Sequence, residues 1–104
     1  MAGWVVPKKL LTGSQRIQEV GRRLPLSESK LVAVQVDIHA IPGNTSVIYV
    51  GSIAVRATAG TESGWPLKSD SNRGDVLTLE DVDLAEVWID GRTVNDGVTF
   101  AGWQ

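Results

Sequence analysis

Six carboxylates crowd into sixteen positions: Asp75, Glu80, Asp81, Asp83, Glu86 and Asp90. Paired carboxylates serve glycoside hydrolysis, and clustered carboxylate oxygens hold calcium. The spacing here matches no EF-hand loop, so hydrated acids at strand ends are the plainer expectation. General acid–base or nucleophilic catalysis needs a group that titrates near neutrality. The chain offers a single histidine, His39, on the polar side of an alternating segment. Cysteine is absent, which removes disulfides, thiol nucleophiles, Fe–S clusters and thiolate zinc sites. One imidazole also rules out any metal site that needs two, so no catalytic residue, metal or cofactor is expected.

Three short strings suggest chemistry that their context does not support. Asn44-Thr45-Ser46 fits a glycosylation acceptor, but residues 1–13 lack the continuous apolar run of a signal peptide, so the string reads as a turn. Arg73-Gly74-Asp75 is the tripeptide that integrins recognise, yet it falls where a glycine is wanted before a strand. The glycines at 43, 51, 60 and 64 are followed by no Lys-Ser or Lys-Thr pair and by no helical pattern, which excludes a phosphate loop.

What remains is contact chemistry. Four tryptophans stand against one Phe and one Tyr. Trp88 lies between Val87 and Ile89, where packing in the core or on the second face of a strand explains it. Trp4, Trp65 and Trp103 sit in a loop or near the chain ends, and tryptophan is enriched at interface hot spots. The charges are segregated as well. Residues 1–30 hold six bases and two acids, a net +4, and the remainder holds four bases and ten acids, a net −6. A cationic first third on an anionic body favours head-to-tail contacts between copies, or contact with another acidic surface. Trp4, Lys8, Lys9, Arg22, Arg23, Trp65 and Trp103 are therefore the candidate interface residues. Nucleic-acid binding would rest on the basic segment alone, against an acidic body, and is not expected. No apolar stretch approaches the length of a membrane span.

The elements that position these residues are strands. In the run from Leu31 to Ile41, Val32, Val34, Val36, Ile38 and Ala40 alternate with Gln35, Asp37 and His39, the period of a half-buried strand. Pro42, Gly43 and Asn44 break the run, and Val47–Val50 restarts it, which predicts a hairpin-like pair. Further alternation covers Asp75–Glu80, Glu86–Asp90 and Val98–Trp103. A helix over Leu79–Trp88 fails, because helical spacing places Asp83 and Glu86 on its apolar stripe. Segments rich in Gly, Ser, Asn and Asp separate the runs. With 104 residues, enough for one core that buries roughly two-thirds of the unfolded surface, the expectation is all-β: a small antiparallel β-sandwich or barrel over 31–104. Residues 1–30 are expected to form an extended N-terminal basic arm or edge segment, with Arg16–Val20 as its candidate edge strand.

The runs PGNTSVIYVGSIAV, GWPL, GDVLTLEDVDLAEVWIDG and DGVTFAGW resemble a pattern that recurs in small virion proteins of tailed bacteriophages. In that pattern an NTG-type turn leads into an IYVG strand. A Gly-x-Pro-Leu step, a D-L-x-x-hydrophobic-aromatic segment and a C-terminal V-x-F/Y strand follow. Asn44, Thr45, Ile48, Tyr49, Val50, Gly51, Gly64, Pro66, Leu67, Asp83, Leu84, Trp88, Val98 and Phe100 match it. Ser46 departs where a Gly is common, and the polar loop Lys68–Arg73 is longer. The resemblance covers about three-fifths of the chain and implies a structural component of the virion, assembled in the host cytoplasm, with no catalytic residues to carry over. A capsid decoration or cement protein, present in many copies or as a homo-oligomer and bound to capsid proteins, is the first expectation. A neck, tail or fibre-base component is the second. A small carbohydrate-binding module, with exposed tryptophans as stacking platforms, is the reading from another class.

Overall fold

Alternating segments need neighbouring strands and cover on one face, and the described residues supply them with eight strands. The computed structural model describes residues 9–104. Its strands are β1 (Leu10–Arg16), β2 (Leu24–Pro25), β3 (Val32–Ala40), β4 (Ile48–Gly51), β5 (Trp65–Leu67), β6 (Val76–Asp83), β7 (Trp88–Asp90) and β8 (Gly97–Trp103). A 3-10 turn, Leu84–Glu86, links β6 to β7. Two four-stranded antiparallel sheets, ordered β1-β8-β3-β6 and β2-β7-β4-β5, pack as a sandwich. Val36, Ile38, Ala40, Val98 and Phe100 from the first sheet meet Leu24, Ile48, Val50, Leu67 and Ile89 from the second. Ile17 and Leu84, in the connections, are fully buried with them.

The expected boundary at residue 30 does not separate an arm from a body within the described residues. β1 pairs with β8 from Leu10↔Trp103 to Arg16↔Gly97, β2 pairs with β7, and Leu11, Ile17, Leu24 and Leu26 enter the core. Residues 1–8 lie outside the described residues. The edge strand therefore lies at Leu10–Arg16, upstream of the expected Arg16–Val20. Its alternation is masked in the sequence because one inward position is Gly13, opposite Phe100. A Cβ at Gly13 would fall 2.5 Å from the Phe100 ring, so the missing side chain makes room for the aromatic one.

Two further expectations change. β3 and β4 are not a hairpin, since β3 lies between β8 and β6 and β4 lies between β7 and β5. The Pro42-Gly43-Asn44 break carries the chain from one sheet to the other. The apolar face of β3 also shifts: Val36, Ile38 and Ala40 are buried as expected, but Val32 and Val34 are 45% and 49% exposed and Ala33 is buried in their place. The β3–β6 ladder skips the Val34–Asp81 position, and Asp81 has φ +51. One left-handed residue, tolerated by aspartate better than by most side chains, puts both strands out of phase beyond that point.

Candidate interaction surface

Several of the carboxylates bind backbone N–H groups. Asp96, 4% exposed, accepts hydrogen bonds from the backbone N–H groups of Thr45 and Ser46, both at 2.8 Å, and from the Ser46 hydroxyl at 3.1 Å. The Asn44 amide adds a reciprocal pair with Gly97, accepting from its N–H and donating to its carbonyl. The crossover between the sheets is thus clamped to the start of β8. Ser46 contributes a hydroxyl to this clamp. Asp90, also 4% exposed, accepts from Ala57 N–H at 2.9 Å and so holds the 52–64 loop against β7.

Asp83 caps the 3-10 turn by accepting from Ala85 N–H and also accepts from Leu31 N–H. The Leu31 bond, then the Ala85 bond and more weakly Lys30, hold its carboxyl below the ordinary range against a small opposing effect of burial. Asp70 is lowered likewise by the N–H groups of Asn72 and then Arg73. Glu62 is lowered by backbone N–H groups, its own first, and by Arg92, which pairs with it at 2.8 Å. Among the described residues no three His, Cys, Asp or Glu side chains are grouped to hold a metal ion. His39 is exposed on the outer face of the first sheet, in register with Thr99 and Val76.

The Arg73-Gly74-Asp75 string is built into the sheet margin. A Cβ at Gly74 would meet the Ala40 carbonyl, Ser69 and Gly74 form a β-bridge, and the Asp75 carboxylate accepts from Lys68 N–H. Packing fixes the tripeptide there.

Among the described residues, Leu10, Ile53 and Trp65 are the most exposed of the larger apolar side chains, alongside several exposed valines. On the outer face of the second sheet, Trp88 is half-buried in register between Pro25 and Gly51. It shares a cleft of about 520 Å³ with Ser52, Ile53, Ala85 and Glu86. Ile53 is 62% exposed, and the Arg23 guanidinium donates to its carbonyl. On the outer face of the first sheet, Leu10, 76% exposed, is paired across β1–β8 with the half-buried Trp103. Trp65, 57% exposed, stands on the edge strand β5.

The candidate residues are thus distributed over separate surfaces. Lys9 and Trp103 come together at the end of the first sheet, where Gln104 N–H donates to the Lys9 carbonyl. Arg22 is exposed in a turn, closed by its N–H to Glu19, beside Arg23. Trp65 stands apart from both groups, and Trp4 and Lys8 lie outside the described residues. Ile53 and Trp88 were not among the candidates. The alternation of Val87 and Ile89 did place Trp88 on the opposite face, but nothing local in the sequence announces that Pro25 and Gly51 flank it. Among the described residues, no helix is long and apolar enough to cross a membrane. Comparison with known proteins finds no matching family model, curated protein or solved structure.

Proposed function

We propose that this chain is a structural component of a tailed-phage virion, a capsid decoration or cement protein that binds the particle surface through protein–protein contacts in many copies. Support comes first from where the phage-like residues lie. Asn44 ties the crossover to Gly97, Asp83 caps the turn at the buried Leu84, and Ile48, Val50, Leu67, Val98 and Phe100 are core. The shared pattern is therefore a recipe for this sandwich, with its loops clamped by side-chain bonds. The observation that carries the functional reading is the surface at Ile53 and Trp88. An aromatic ring, a protruding aliphatic side chain and an adjacent arginine, mounted on strands, form the combination that dominates protein contacts.

The test is occupancy on the particle, measured beside melting temperature. Ile53→Asp and Trp65→Ala alter exposed side chains and should leave the melting temperature unchanged. Ile53→Asp should lower occupancy severalfold, as loss of a hot spot worth about 2 kcal/mol does. Full occupancy for Ile53→Asp would remove this surface from the proposal, and full occupancy for Trp65→Ala would remove Trp65 from the contacts. Absence of the chain from an electron-microscopy map of the intact particle would overturn the virion reading. Glycan-array retention abolished by Trp65→Ala or Trp88→Ala would put a carbohydrate-binding module in its place.

A further inference from the structure

The charge imbalance of the sequence has a definite place in the fold. β1 and β6 are the two edge strands of the first sheet, and among the described residues neither pairs on its outer side. Bases bracket β1: Lys9 precedes it and Arg16 ends it, with no acid before Glu19. Acids line β6: Glu80, Asp81 and Asp83 lie within it, with no base from Gly74 to Gly91, while Asp75 just before it is already bonded to the Lys68 backbone. One edge of the sheet is basic and the other acidic. β1 also lacks the proline, bulge or inward-pointing charge that commonly protects an edge strand.

Strand direction makes the two edges compatible. Each neighbour in the order β1-β8-β3-β6 is antiparallel to the last, so β1 and β6 run in opposite directions. A second copy set beside the first in the same orientation therefore brings its β1 antiparallel against β6. We infer that copies of this chain associate head to tail through the first sheet, β6 of one copy pairing with β1 of the next. The inward faces of the two copies must match, which sets Leu77 and Leu79 opposite Gly13 and Leu11 of the next copy and so places Lys9 of that copy opposite Asp81. Pairing of two β1 edges or two β6 edges would set like charges together, which disfavours the two-fold alternatives. The left-handed Asp81 interrupts the regular edge, so backbone pairing is confined to the Val76–Glu80 stretch and the charges act beyond it. The edges of the first sheet carry this inference, which takes only its many-copy setting from the virion proposal.

Sedimentation velocity on the purified full chain tests it without any particle, so failure here leaves the virion reading in place. At about 20 mM salt the weight-average mass of the unaltered chain should rise with concentration, and at about 500 mM, where the screening length is only a few ångströms, it should fall back toward monomer. Lys9→Glu with Arg16→Glu should weaken self-association at least about tenfold, and so should Glu80→Lys with Asp81→Asn. An equimolar mixture of the two double variants should recover association, since one supplies a reversed β1 edge and the other a reversed β6 edge. All four side chains are exposed, and circular dichroism checks that each variant is folded. The neutral pair Lys9→Gln with Arg16→Gln should also weaken association and replaces either variant that misfolds. A chain that stays monomeric at low salt, reversed variants that associate like the unaltered one, or a mixture without recovery would each overturn the inference.

Discussion

Asp96→Ala should be among the most damaging single polar substitutions in this domain. It removes the acceptor for two backbone N–H groups, Thr45 and Ser46 at 2.8 Å each, and for the Ser46 hydroxyl. Hydrogen bonds to a charged partner contribute about 1.5–3 kcal/mol each, and Thr45 is exposed enough for water to replace part of its bond. Taking the lower end for both backbone bonds gives a loss of about 3 kcal/mol, a large share of the ~5–15 kcal/mol that holds a domain of this size together. With a urea m-value of about 1.5 kcal/mol/M the unfolding midpoint should drop by about 2 M at unchanged slope. Asp96→Asn keeps one acceptor oxygen and should lose about half as much. Asp70→Ala is the control: Asp70 also accepts two backbone N–H bonds, but in an exposed turn where water substitutes for the carboxylate, and the midpoint should barely move. Equal shifts for the Asp96→Ala and Asp70→Ala variants would refute the claim that burial, more than bond count, sets the value of these clamps.

Deleting residues 1–23 should unfold the domain, because it removes β1, strips β8 of a neighbour and takes Leu11 and Ile17 out of the core; a cooperative β-type thermal transition in the truncated chain would contradict this. Acid should destabilise the fold in a stated direction. Asp83, ordinarily near 3.8, and Glu62, near 4.5, are lowered in the folded state, so the unfolded chain takes up their protons first and the stability they supply is full above about 4.5 and lost as pH falls through the folded values. Urea midpoints measured from pH 7 down to pH 3 should show this fall, and Asp83→Asn should flatten it.

Fold class was legible because burial on one face forces period two, and Leu77, Leu79, Val87, Ile89, Val98 and Phe100 obey it in the structure. Pairing was not legible. Val36 and Ile48 look like the two sides of one hairpin, yet they belong to different sheets, and the crossover between them is held by bonds from Asn44, Thr45 and Ser46 to residues about fifty positions later. The face of Val34 was misread for a similar reason. Its phase is set by the backbone of Asp81, a residue whose left-handed φ leaves no mark on hydrophobic periodicity. Among the candidate contact residues, the exposure of Trp65 could be anticipated from its glycine-rich surroundings. The surface around Ile53 and Trp88 could not, because three separate segments build it.

The acids show most directly how one composition supports two chemistries. The acids clustered from Asp75 to Asp90 read as hydrated groups at strand ends, and Asp75, Asp83 and Asp90 among them instead bind backbone N–H groups. A chain without disulfides has few other means of fixing a crossover or a long loop, and an ionised carboxylate facing two N–H groups does so with one side chain. The acids of β6 are different, because Glu80 and Asp81 face solvent at a sheet edge. Sequence alone could separate basic from acidic thirds, but only the order β1-β8-β3-β6 places those charges on opposite edges of a single sheet. An uneven chain becomes a sheet with a basic edge and an acidic edge; strand direction lets the two edges pair antiparallel, and charge makes that pairing better than either edge with itself.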